Sequence, residues 1–163
     1  MIAKCLPPVI NNSCKVIILG SMPSVMSRIK TFYYANPSNR FWKILSAIAK
    51  VDFTAMTTEQ KKAALLENRI ALFDVFQSCE IEGSLDSDIK DYKLNDIESI
   101  IEGTEIQTIY ITSKFAYNAF IKRYGKEIHG IKVISLPSPS GANRSKFKTD
   151  EDLLSEWKRL LVL

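Results

Sequence analysis

KVIIL, residues 15–19, is an unbroken apolar, mostly β-branched run that stops at Gly20. A strand with one wet face alternates polar and apolar residues, whereas an unbroken run is covered on both faces, as in a parallel sheet between helices. IALFDV (70–75), IQTIYIT (106–112) and KVISL (132–136) read the same way. Helical patterns lie between these runs. Phe41, Trp42, Ile44, Leu45 and Ile48 make one face of a helix beginning near Asn39. Thr57–Gln60 has the spacing of a capping box before KKAALLE, and Asn95–Glu98 imitates one before Ile100 and Ile101. Ser113 can cap FAYNAFIKRY, which stops at Gly125, and Leu153, Leu154, Trp157, Leu160 and Leu161 stripe a final helix. Strands alternating with helices predict a three-layer α/β/α sandwich around a central, mostly parallel, four-stranded sheet, as a single domain over residues 1–163.

In such folds ligands bind beyond the carboxyl ends of the strands. That rule selects Gly20–Ser24, Asp74–Glu80, Thr112–Ser113 and Pro137–Arg144. The long excursion FYYANPSNRFW (32–42) lies over the same edge. It gathers aromatic rings and amides around Pro37 with Arg40 as its one charge. It reads either as a helix entrance with packing aromatics or as a pocket for something flat and polar.

Composition narrows the chemistry. Hydrophobic residues make up 46% and charged residues 25%, which is globular rather than disordered. No apolar run is long enough to span a bilayer and MIAKCLPPV has no signal core, so a cytoplasmic, monomeric protein is expected. One histidine and 3 scattered cysteines cannot assemble an ordinary zinc site or a four-cysteine iron–sulfur cluster, so no metal is expected. The net charge of +4 is uneven. Residues 1–51 hold seven basic residues and no acid, and residues 114–148 hold eight against Glu127; the segment 80–105 carries nine acids against Lys90 and Lys93. If the basic stretches share a face it suits a polyanion, with the acidic segment turned away; otherwise these are separate solvated surfaces.

The loops alone leave alternatives open. GSMPS (20–24) allows a sharp turn with exposed amides, but it lacks the glycine fingerprint and the lysine of nucleotide-binding loops, so no organic cofactor is expected. LPSPSGANR (136–144) is either a stiff connector or a loop that approaches a sugar–phosphate chain. Asn39 is a helix cap or a site residue, and Asp74 is catalytic or caps a turn. Asp86 and Asp88, two apart in GSLDSD, do not share a helical face, and no paired-carboxylate site is expected.

Together LGSMPS, FYYANPSNRFWKIL, ALFDVFQSCEIEGSLDSDI and LPSPSGANR resemble the uracil-DNA glycosylase superfamily, most closely its family 6, the hypoxanthine-DNA (DNA-deoxyinosine) glycosylases. The resemblance runs from about residue 15 to the final helix. It implies a monofunctional DNA N-glycosylase of base excision repair, without metal or cofactor, acting on double-stranded DNA that contains a deaminated base. Such enzymes rotate the base out of the duplex, stack it on an aromatic ring and read its polar edge. By position Tyr34 matches the stacking ring, with Phe32 nearby, and Asn39 matches the family 6 catalytic asparagine. Gly20, Ser21, Met22, Pro23, Ser24 and Ser138 are then expected to hold the substrate. Ser140, Gly141, Ala142, Asn143, Arg144 and Lys146 are expected to meet DNA, with Asn143 or Arg144 filling the space where other branches insert a leucine wedge. Met22 and Leu136 stand where other branches place water-positioning and histidine residues, which weighs against uracil-type chemistry. A mismatch-specific uracil/thymine glycosylase and a non-catalytic nucleic-acid or nucleotide binder are the alternatives. One cleft bounded by Gly20–Ser24, Tyr34, Asn39 and Ser138–Arg144 is the geometric expectation.

Overall fold

A computed structural model describes residues 1–163. In chain order the strands are β1 (Ile2–Lys4), β2 (Val16–Gly20), β3 (Ile70–Asp74), β4 (Phe76–Glu80), β5 (Lys90–Leu94), β6 (Thr108–Ile111), β7 (Glu127–Ile128) and β8 (Ile131–Ser135). The helices are α1 (Val25–Lys30), α2 (Phe41–Ala49), α3 (Thr58–Glu67), α4 (Ile97–Ile101), α5 (Lys114–Tyr124) and α6 (Asp150–Leu160). The main sheet has the order β3-β2-β6-β8-β7, and its first four strands are the four apolar runs, all parallel. A fifth strand, β7, pairs antiparallel with β8 through a turn at the far edge.

Side-chain alternation along β2 divides the core between two layers. Ile17 and Leu19 pack with Ala116, Phe120 and Ile97 of α5 and α4. Val16 and Ile18 pack with Phe41, Leu45, Leu65 and Trp157 of α2, α3 and α6. All five residues of β2 are buried, as a strand covered on both faces requires.

A second, antiparallel sheet of order β1-β4-β5 was not expected from the sequence. Its strand β5, KDYKL, is mostly exposed, so no apolar run announces it. The capping box at Thr57–Gln60 is present with both reciprocal bonds, and Ser113 caps α5 by accepting from the Ala116 amide. The cap of α4 falls one residue later than its pattern suggested. Asp96 accepts from the Ser99 amide, while Asn95 is buried and donates to the main-chain carbonyl of Asp74. No helix is long and apolar enough to cross a membrane.

Register decides where the strand ends meet. Gly20 pairs with Asp74, Leu19 with Ile111, and Ile111 with Ser135. The four carboxyl ends therefore finish level, and the loops leaving them open onto one edge of the sheet.

Candidate active site

At that edge lies a cavity of about 280 Å³. It is lined by Gly20, Ser21, Met22, Pro23 and Ser24 from the loop after β2, by Tyr34 and Asn39, and by Ser138, Ser140, Ala142 and Asn143 after β8. The strand-end loops thus surround one cleft. Gly141 does not line it; a Cβ there would come within 2.6 Å of Ser38 Oγ, so this residue lets the two loops touch. Arg144 and Lys146 are exposed outside the cavity, and Arg144 Nη1 lies 3.7 Å from Asp150.

Phe32 does not reach the cavity. It is 4% exposed and stacked on Trp42, with ring centroids 5.6 Å apart. Its neighbour Tyr33 lines the cavity instead, anchored by its hydroxyl donating to the Pro7 carbonyl at 2.7 Å. Tyr34 sits at φ +52°, left-handed backbone that a bulky residue enters at a cost of about 1–3 kcal/mol. Its ring lies parallel to Phe41, centroids 3.8 Å apart. Its hydroxyl shares a 3.1 Å hydrogen bond with Thr112 Oγ1. Burial pushes the phenol well above its ordinary pKa, so it stays protonated.

Asn39 is placed by the entrance to α2. The helix begins at Phe41 with Arg40 in the cap position, yet Asn39 Oδ1 accepts from the Phe41 amide at 2.9 Å. A backbone N–H needs an acceptor, so this bond occupies the Oδ1 end of a residue that lines the cavity and takes nothing from its NH₂ group. Behind it Arg40, 2% exposed, donates from Nη1 to the Phe147 carbonyl at 2.7 Å and the Thr149 carbonyl at 3.3 Å. Its own amide donates to the Pro139 carbonyl at 2.9 Å. Arg40 is therefore a strut between α2 and the loop after β8.

The cavity lining also holds two carboxyl groups, Asp74 and Asp86, which corrects the expectation that no such pair exists. Of the acids in the segment 80–105, Asp86 alone lines the cavity. Asp86 accepts from Ser21 Oγ on one oxygen and Ser113 Oγ on the other, both at 2.5 Å. The neighbouring Ser84 Oγ accepts from the Val25 amide, and Arg28 Nη2 donates to the Gly83 carbonyl. The GSLDSD turn is thereby fastened over GSMPS. Asp74 is 3% exposed, and its Oδ2 is buried without a partner. Burial first, and the charge of Asp86 second, push its carboxyl well above the usual carboxylate range. Gly20 is required beside it, since a Cβ would stand 2.8 Å from Asp74 Oδ1 and 3.3 Å from the Tyr34 hydroxyl. Helical spacing hid this pair because the two acids meet across loops. The available signal was Asp74 itself, an acid at the carboxyl end of a parallel strand. No three His, Cys, Asp or Glu side chains gather to hold a metal ion.

The comparisons with known proteins agree with this geometry. The family model described as uracil DNA glycosylase superfamily matches residues 7–161. The chain is 37% identical over 161 residues to a protein of Methanosarcina acetivorans named hypoxanthine DNA glycosylase, covering 97% of both. A Methanosarcina barkeri protein of the same name is 33% identical over 146 residues, covering 88% of this chain and 89% of the other. A solution NMR structure from Methanosarcina acetivorans, described as a candidate uracil DNA glycosylase, superposes with a TM-score of 0.81 at 34% identity. It covers 98% of this chain and 96% of that one. A parallel sheet with its strand-end loops closed around one cavity, together with a family match over nearly the whole length, establishes that the chain belongs to the uracil DNA glycosylase superfamily.

Proposed function

We propose that this protein is a monofunctional DNA N-glycosylase that removes hypoxanthine from deoxyinosine sites in duplex DNA. The reading is carried by Asn39, which lines the cavity with its Oδ1 taken by its own helix cap, beside the Tyr34–Phe41 stack. The two relatives named hypoxanthine DNA glycosylase supply the choice of base.

In this mechanism the flipped base stacks on the face of Tyr34 away from Phe41. The C1′–N9 bond lengthens toward an oxocarbenium-like sugar, and negative charge grows on the departing base. The Asn39 NH₂ group hydrogen-bonds that charge or holds the attacking water. Being a carboxamide it does not act as a strong base. Main-chain amides of GSMPS add donors at the same edge. Met22, a thioether and only a weak acceptor, lines the cavity from the first loop. Ser138 contacts the substrate. Ser140, Gly141, Ala142, Asn143, Arg144 and Lys146 meet the DNA strand, with Asn143 or Arg144 filling the vacated stack.

The test is a panel of labelled duplexes carrying inosine, uracil or xanthine, scored for abasic sites under single-turnover conditions. Wild type is expected to act chiefly on inosine. Asn39→Asp keeps an acceptor for the Phe41 amide but replaces the donors with an anion. It is expected to lose on the order of 10²–10³ in inosine excision with little change in Tm. Full inosine excision by a folded Asn39→Asp protein would reduce Asn39 to a cap.

A further inference from the structure

Asp74 lines the cavity, and the mechanism above leaves its chemistry unused. It ends β3 directly beside Gly20, and no donor in the protein reaches either of its carboxyl oxygens; only its main-chain carbonyl is occupied, by Asn95. A buried carboxylate without a donor is among the costlier arrangements a protein can hold, whereas a carboxylic acid tolerates it and itself offers an O–H. Its companion Asp86 lies in the opposite environment, half-buried with both oxygens accepting from hydroxyls. Two neighbouring carboxyls whose surroundings differ in this way can take different roles, and the one without donors is placed to act as an acid.

We propose that Asp74 is the proton donor to the leaving base, giving its carboxyl proton to N7 of hypoxanthine as the C1′–N9 bond breaks, and that Asp86 is a positioning residue that keeps that proton on Asp74. The proposal rests on the hypoxanthine reading. N7 is conjugated with N9, so protonation there draws off the charge that the bonding pair leaves on the ring. The Asp74 O–H bond breaks and an N7–H bond forms, so the base departs neutral. Water adds to C1′ and releases one proton, which balances the one that Asp74 must regain. Burial and the Asp86 charge hold the proton on Asp74 up to pH values where ordinary carboxyls have lost theirs. The other titratable groups facing it are Tyr33, Tyr34 and Cys5, and no cation is among the charges acting on it. Removing the Asp86 charge therefore weakens the hold on the proton.

Single-turnover excision is measured from pH 5 to pH 10 on duplexes carrying inosine or 7-deazainosine, whose N7 is replaced by carbon. Binding to an uncleavable 2′-fluoro-deoxyinosine duplex and thermal melting report folding. Wild type is expected to slow as pH rises through the Asp74 titration and to lose most of its activity on 7-deazainosine. Asp74→Asn is expected to bind the uncleavable duplex normally and to excise inosine about 10²–10⁴-fold more slowly. Its profile is expected to lack the alkaline fall, and its discrimination between the two bases should shrink to their intrinsic difference, which persists in the variant. Asp86→Asn is expected to move the alkaline fall to lower pH, a shift that loss of a merely structural bond would not produce. A fully active Asp74→Asn, or wild type equally fast on 7-deazainosine, would overturn the role of Asp74 while leaving the hypoxanthine reading intact. Wild type that leaves inosine untouched would overturn that reading and this role with it.

Discussion

On one side of the cavity Phe41 is fully buried, stacked on Tyr34 and edge-on to Trp42 and Trp157, with centroids 4.9 and 5.9 Å away. Elsewhere on the cavity the GSLDSD turn buries none of residues 86–88 and is fastened by the Ser21 and Ser113 hydroxyls, the Val25 amide and the Arg28 guanidinium. The first wall is the outer surface of a core layer, and its geometry is over-determined by packing. The second is a lid of polar bonds over an unpaired acid. Packing energy scales with buried area, whereas exposed polar bonds are worth little net. The aromatic wall therefore sets stability and the shape of the site, while the carboxyl wall adjusts charge at small cost to the fold. The two tasks are divided between regions that share only the strand ends.

Thermal melting separates the walls most strongly at Phe41. Phe41→Ala removes a buried ring and is expected to cost about 3–5 kcal/mol, a Tm fall of roughly 10 °C or more. A fall of under 3 °C would show that the aromatic wall is not continuous with the core. Arg40→Met comes next. It leaves the Phe147 and Thr149 carbonyls without their donor, at a cost of about 1.5–3 kcal/mol. An unchanged Tm would mean that the strut between α2 and the loop after β8 carries no load.

The carboxyl wall responds through pH. The folded protein holds the Asp74 proton more tightly than the unfolded chain does. Its contribution to stability is thus complete below the ordinary carboxyl range and is lost as pH rises through the raised value. Asp74→Asn removes that loss, so its Tm is expected to exceed that of wild type by a few degrees near pH 9. The gap should close toward pH 4. Parallel Tm curves for the two proteins across this range would remove the charge difference between the walls. The smallest effect on folding is expected at Arg144→Ala combined with Lys146→Ala. Arg144 makes one exposed ion pair, worth about 0–1 kcal/mol at most. Duplex affinity should nonetheless weaken and lose about two units of its salt slope. An unchanged slope would remove these residues from the DNA face.

The sequence by itself determined the parallel sheet, because β2 and β3 are buried on both faces and β6 nearly so, and that requirement is written into each run locally, while β8 buries only Val133 and was legible from its apolar run alone. It determined the capping box at Thr57, the cap at Ser113 and the stop at Gly125, since each depends on residues within one turn. Asn39 and Tyr34 were legible as candidates from their motif. Only the tertiary structure decided that Asn39 lines the cavity while its Oδ1 accepts from the Phe41 amide. It also decided that Phe32 goes to the core while Tyr33 lines the site, a choice made by the backbone turn at Tyr34. The second sheet was hidden because β5 is polar and pairs with a strand whose residues are only partly buried. The Asp74–Asp86 wall was hidden for a related reason. Ser21 and Asp86 are 65 positions apart, and Asp86 and Ser113 are 27 apart. No local period records a contact made across three loops; the register that levels Gly20 with Asp74 creates it.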